Sequence, residues 1–318
     1  MTHLPTAGEP RPRIGGIALR NGLVLLSERY WAAAIRKADG SIESASGRKI
    51  RLPGSGPTYW ETRQSWGSGA DGRQIDAAAG AGTGAGSAAG PPVVRGLARF
   101  GESLAVLGLV KLRLPEAELP LEGRRVAAAL ALSLAATSAV RVAAPRSAVV
   151  QEVGAALAAL VPALWALKGS PILAYHGAEH KVIGAREAAV RRTGKASDAG
   201  PVSDLGDAAE AAREHDRCGT NLIGPYLAAT VATNLLARGL SKRRLRVLSA
   251  AASAASLGLA LEALRWATEH ADSLVARLLL TPGRLIQRYF TTVEPTPEQL
   301  EVGRRALREL LRLEYAGE

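Results

Sequence analysis

Two histidines four residues apart, His176 and His180, flank a carboxylate in the stretch Tyr175-His176-Gly177-Ala178-Glu179-His180-Lys181. Residues four apart share one face of a helix, so both imidazoles can reach a single metal ion. The order H-x-x-E-H inverts the H-E-x-x-H pattern of zinc hydrolases. The same helical stripe continues to Ile183 and Glu187, which makes Glu187 a ligand or a neighbour of one. A second cluster, His215-Asp216-Arg217-Cys218-Gly219-Thr220, sets a histidine three residues from the only cysteine. Glu262, at the end of an apolar run, is a third source of ligands, since an ionisable group there is a functional suspect. Imidazole, thiolate and carboxylate together suit a divalent metal with the preferences of zinc.

Ligand number decides what such a site does. Three protein ligands leave a position for water, which the ion activates; Glu179 then serves as base, and Lys181 steadies an oxyanion or meets an anionic headgroup. Four ligands, His176, His180, His215 and Cys218, close the site and make it structural. Simpler readings stand beside these. A histidine on a polar helix is often just solvated, and a lone cysteine is often an ordinary buried thiol. Glu187 with Arg191, and Glu262 with Arg265, are spaced as helix-surface ion pairs.

The elements that must position these residues are mostly helical. Four apolar runs, 126–140, 153–167, 218–237 and 247–261, punctuate the chain. A bilayer crossing takes roughly 20 apolar residues. Only the third run reaches that length; the others hold about 15 uncharged residues each. Four in one chain point to a multi-pass protein of the cell membrane, with the lipid bilayer as its partner, against the alternative of a soluble Ala-rich bundle. The first thirty residues carry no secretory pattern, so internal helices would have to insert it. Orientation is contradictory. The positive-inside rule places both Lys111–Arg125 and Arg238–Arg246 in the cytoplasm, yet four crossings put them on opposite sides.

The remainder falls into an N-terminal β-rich unit (1–52), a disordered Gly/Ala/Ser-rich linker (53–92) and a helical membrane domain (93–318). Asn21-Gly22 and Ala38-Asp39-Gly40 mark turns in the first unit, and a strand near Ser41–Glu43 closes a hairpin. Within the third, a polar insertion (168–217) opens with the motif helix, loops through Gly194–Gly206 and ends in a helix over Asp207–Arg217. An apolar and basic stretch, Ala271–Tyr289, is broken at Pro282-Gly283. The chain closes on an amphipathic helix from about Thr296, with Leu300, Leu307, Leu310 and Leu311 as its stripe. The fold class is therefore mainly α, a multi-helix integral membrane domain with a small β-rich unit.

The charge of +11 favours anionic partners, but aromatic residues make up only 4% and no nucleic-acid-reading motif appears, which argues against nucleic acid. One cysteine excludes an intrachain disulfide.

Several of these stretches together resemble the YqhQ-like family of bacterial membrane proteins, described as predicted metal-dependent enzymes of unknown function. The resemblance rests on Gly15-Gly16-Ile17-Ala18 to Asn21-Gly22, Arg95-Gly96 with Glu102-Ser103-Leu104, the Tyr175–Lys181 core, His215–Thr220, and Thr291-Thr292-Val293-Glu294-Pro295. Asp216 stands where the family usually has proline, and Val24-Leu25 where paired methionines are common. The resemblance implies a membrane location and a metal-dependent activity. Metal-assisted hydrolysis of a membrane-associated substrate is the leading expectation. A membrane scaffold, assembly factor or transporter is its rival.

Overall fold

The computed structural model describes residues 13–56, 90–120, 122–143, 147–193, 208–237 and 242–315. Most of the expected linker and the Gly194–Gly206 stretch lie outside them. The described chain is mainly helical, with one small antiparallel sheet at its N-terminal end.

Strands β1 (Gly15–Ala18), β2 (Gly22–Leu26), β3 (Tyr30–Arg36) and β4 (Ile42–Arg48) form a meander in chain order. Asn21-Gly22 makes the first reversal, and a Cβ on Gly22 would lie 2.2 Å from the Ala34 carbonyl oxygen. The closing strand outruns the Ser41–Glu43 expected, because it pairs with β3 from Arg36↔Ile42 to Tyr30↔Arg48. β2 and β3 are apolar at nearly every position, the pattern of strands covered on both faces. Leu23, Leu25, Ala32 and Ala34 face helices α4 (Ile172–Thr193) and α8 (Pro297–Tyr315). Val24, Leu26, Trp31 and Ile35 point the other way, onto α1 (Pro92–Arg113). The C-terminal helix is amphipathic as its pattern foretold: Val302, Ala306, Leu307, Leu310 and Leu311 are buried, and Leu300 packs at their edge.

Helices α2 (Arg124–Ala143) and α3 (Ala148–Leu167) pack against one another. Small residues bring them close: Ser133 Oγ donates to the Ala159 carbonyl at 2.8 Å, and Gly154 faces Val140. These two helices are long and apolar enough to cross a membrane. The third apolar run, the only one of full crossing length in sequence, is instead divided. It begins with a 3₁₀ turn, Gly219–Leu222, and continues as α5, Ile223–Ala237, of 15 residues. At 1.5 Å per residue α5 spans about 22 Å, short of the roughly 30 Å hydrocarbon layer. Its leading residues are committed to the site described below. α5 pairs with the long α6 (Lys242–Glu269).

Two further expectations change. Residues 208–217 form turns rather than a helix. Side chains from other elements take their carbonyls: Lys181 Nζ donates to Ala209 O, His180 Nδ1 to Arg213 O, and Asn221 Nδ2 to both His215 O and Asp216 O. Pro282-Gly283 does not break its helix either. α7 runs through it from Leu274 to Ile286 and continues into a π-helical turn, Gln287–Thr291. Gly283 is there for contact, since a Cβ would lie 2.1 Å from Asn221 Oδ1. Gly283→Ala is accordingly expected to lower stability by about 1–3 kcal/mol through overpacking, read as a shift of the denaturant midpoint of detergent-solubilised protein.

Candidate metal centre

The motif helix α4 starts immediately beyond α3, after the turn Lys168–Pro171, and buries Tyr175, Ala178, Val182 and Ile183 against the sheet and α8. That packing turns His176 and His180 toward the 3₁₀ turn and the π-helical turn. Cys218 caps the 3₁₀ turn, accepting from the Thr220 amide at 3.4 Å. One ligand atom each from His176, His180 and Cys218 lie within 4.8 Å of one another, so the three form a group that can hold a metal ion.

The tautomers follow from the hydrogen bonds. His176 Nδ1 lies 2.7 Å from the Thr291 carbonyl oxygen, and His180 Nδ1 bonds the Arg213 carbonyl. A carbonyl only accepts, so in both rings the proton sits on Nδ1 and the lone pair on Nε2. His176 Nε2 lies 3.1 Å from Cys218 Sγ. His180 Nε2 is buried with no hydrogen-bond partner among the described residues. A buried acceptor without a partner costs about 1–3 kcal/mol. Metal-ligating histidines commonly donate their other N–H to a carbonyl or carboxylate, which fixes the ring. Both rings here meet that condition, and the donor set fits a zinc-like ion.

Burial governs the protonation of the group. His180 is held well below the ordinary imidazole range, first by desolvation and then by its neighbour His176, so its lone pair stays available. Burial pushes the Cys218 thiol up, partly offset by Thr220. Glu179 is 5% exposed, and burial raises its carboxyl to about 8, with His176 working in the opposite direction. The carboxyl packs on β1, where a Cβ at Gly16 would come within 2.7 Å of Glu179 Cδ. The glycine of the N-terminal Gly-Gly pair thus makes room for the motif glutamate.

The other candidates are placed differently. His215 lies beside His180, ring centroids 5.7 Å apart, but outside the three-ligand group. Its Nδ1 accepts from the Arg217 amide and its Nε2 sits 3.5 Å from Glu187 Oε1. Glu187 also pairs with Arg217, so it fastens the 208–217 segment to α4. Lys181 is buried, with Nζ at 2.7 Å from both Ala209 O and Glu294 Oε1. Glu262 pairs with Arg95 of α1 at 3.1 Å.

Two supporting residues were not among the candidates the sequence offered. Gln287, fully buried at the head of the π-helical turn, accepts from the His215 amide and donates to His215 O and Asn221 Oδ1. Asn221, also fully buried, holds the loop before Cys218. Asn221, a polar residue inside the 218–237 apolar run, offered a clue; Gln287, between Arg284 and Arg288, offered none. Gln287→Leu removes the partner of the His215 amide and of Asn221 Oδ1 and is expected to lower stability by about 1–3 kcal/mol, read as a shift of the denaturant midpoint.

Fold and site together define a mainly helical protein with a small N-terminal sheet and a His/His/Cys group able to hold a metal. Residues 170–313 match a family model described as a protein of unknown function (DUF1385). The matched stretch contains all three residues of the group and runs from α4 into α8. No curated protein and no solved structure matches the chain.

Proposed function

We propose that this chain is a membrane-anchored, metal-dependent enzyme that hydrolyses a membrane-associated substrate. His176, His180 and Cys218 hold one zinc-like ion, and Glu179 carries the proton. The observation that carries the reading is the group itself: three ligand atoms within 4.8 Å, with both imidazoles locked through Nδ1 onto backbone carbonyls. Three protein ligands are the complement of an open, catalytic site. Such an ion lowers the pKa of water toward about 7 and polarises a carbonyl or phosphoryl oxygen. The raised carboxyl of Glu179 suits a group that exchanges protons near neutral pH. Lys181, tied to Ala209 O and Glu294, positions the loop rather than meeting substrate.

Anchoring by the α2/α3 pair is supported by exposure. Only 6% and 11% of their apolar windows are buried, whereas the core helices of a soluble protein are mostly buried. Leu130, Leu134, Val142, Leu157 and Val161 all face outward. The motif-level likeness to YqhQ-like membrane proteins agrees with this.

A structural metal is the second reading, favoured by one observation. The ligands and their carbonyl partners tie together α4, the lead-in to α5 and the turn after α7. Metal content of detergent-purified wild type, His176→Ala and His180→Ala tests the shared premise. One ion per wild-type chain, lost in both variants, is expected; equal and negligible metal in all three removes it. Cobalt substitution then separates the readings, because exogenous anions perturb the visible spectrum of an open site and leave a closed one unchanged. Extraction of native membranes at alkaline pH tests the anchor, and release into the supernatant would refute it.

A further inference from the structure

α7 has two opposed apolar faces, and among the described residues only one is packed. Ala276, Leu280 and Gly283 are buried on one side, where α7 packs on α6, α5 and the 3₁₀ turn. On the other side Leu274, Leu278 and Leu285 are 71%, 65% and 50% exposed. The π-helical turn that follows exposes two aromatics, Tyr289 and Phe290, at 67% and 53%. Along one flank, between the two faces, runs an arginine stripe: Arg277, Arg284 and Arg288 recur at intervals of seven and four. Arg284 is held by Asp216, and Arg288 lies 3.9 Å from Glu214. Arg277 is exposed, and its guanidinium donates to the Asp272 backbone carbonyl.

We infer that α7 is an in-plane helix whose exposed face beds into a bilayer surface bearing anionic headgroups. The inference rests on the membrane anchoring proposed above. Three features favour lipid over a protein partner. The apolar face extends the full length of the helix, flanked by arginines and ending in aromatics, the make-up of interfacial helices. The element is continuous with the proposed anchor, because the π-helical turn touches α3. A net charge of +11 suits an anionic surface. The same turn carries the Thr291 carbonyl that holds His176. Bedding α7 therefore sets the His176 ring at headgroup depth, and the substrate is one whose reactive group lies in the headgroup region.

The test uses full-length protein as purified in phosphatidylglycerol/phosphatidylcholine vesicles, keeping the native, buried Cys218 with unmutated protein as the labelling blank, and a bimane label on Leu278→Cys, Leu285→Cys or, as a solvent-facing control on α8, Arg308→Cys. Lipids brominated near the headgroup should quench positions 278 and 285 several-fold more than 308, and Arg277→Glu should reduce that quenching. Quenching no greater than at 308, in protein that still floats with the vesicles, would overturn the inference and leave the α2/α3 anchor standing. Protein that fails to float would refute both. Labels at 278 and 285 that are shielded from aqueous iodide yet unquenched by bromolipid would mean a second chain covers the face, and would also overturn it.

Discussion

In metal-free protein, Glu179→Gln is expected to raise stability at pH 8 by a few kcal/mol and to change it little at pH 4. Glu179 is buried against β1, and its carboxyl is raised from the ordinary 4.5 to about 8. Between those values the folded chain keeps a proton that the unfolded chain releases. Stability therefore falls as pH rises through the window, by about 1.4 kcal/mol per unit for one proton. Below pH 4.5 both states are protonated and the burden vanishes. Glutamine has nearly the same shape and no proton to lose, so the variant escapes the decline. Denaturant titrations of chelator-treated protein at several pH values measure this directly, and a gap between variant and wild type that does not widen from pH 5 to 8 would contradict the buried-carboxyl account. The same substitution should lower any hydrolytic rate by about 10²–10⁴-fold, because an amide cannot accept the proton.

The second large effect is expected at Cys218. Cys218→Ala should abolish stoichiometric metal, whereas His215→Ala should retain one ion per chain. The thiol is raised by burial, so uptake of an ion must displace its proton. Wild-type affinity should then climb with pH across the neutral range. Calorimetry in buffers of different ionisation enthalpy counts the protons released. His215 is the sharper control. Its ring nitrogens are engaged by the Arg217 amide and Glu187, so its loss should disturb the loop more than the ion. Loss of metal from His215→Ala as complete as from His180→Ala would make His215 a fourth ligand, close the site and end the hydrolase reading.

Much of this arrangement was legible along the chain. The four-residue spacing of His176 and His180 on a helix is a local property, and so are the turn at Asn21-Gly22 and the stripe of α8. Each depends on side-chain periodicity, which a sequence carries explicitly. Over 208–217 the expected helix, and at Pro282-Gly283 the expected break, failed for a common reason. Local propensity was overruled by partners distant in sequence: Lys181, His180 and Asn221 claim the carbonyls of the first, and Asn221 needs the bare Gly283 in the second. Apolar length misled in a similar way. The 218–237 run had the length of a crossing, but its first residues are drawn into the site, while α2 and α3 extend past their uncharged centres.

The sequence by itself determined the donor chemistry: two imidazoles on one helical face, one thiol, and a carboxylate beside them. Only the tertiary structure decided which donors meet. It brings Cys218 to His176 across 42 residues, leaves His215 bound to Glu187, and aims the Thr291 and Arg213 carbonyls at the two Nδ1 atoms. Every residue owns a carbonyl, so no pattern of side chains announces which one will hold a histidine. That choice belongs to the path of the backbone through the 208–217 segment and the turn after α7.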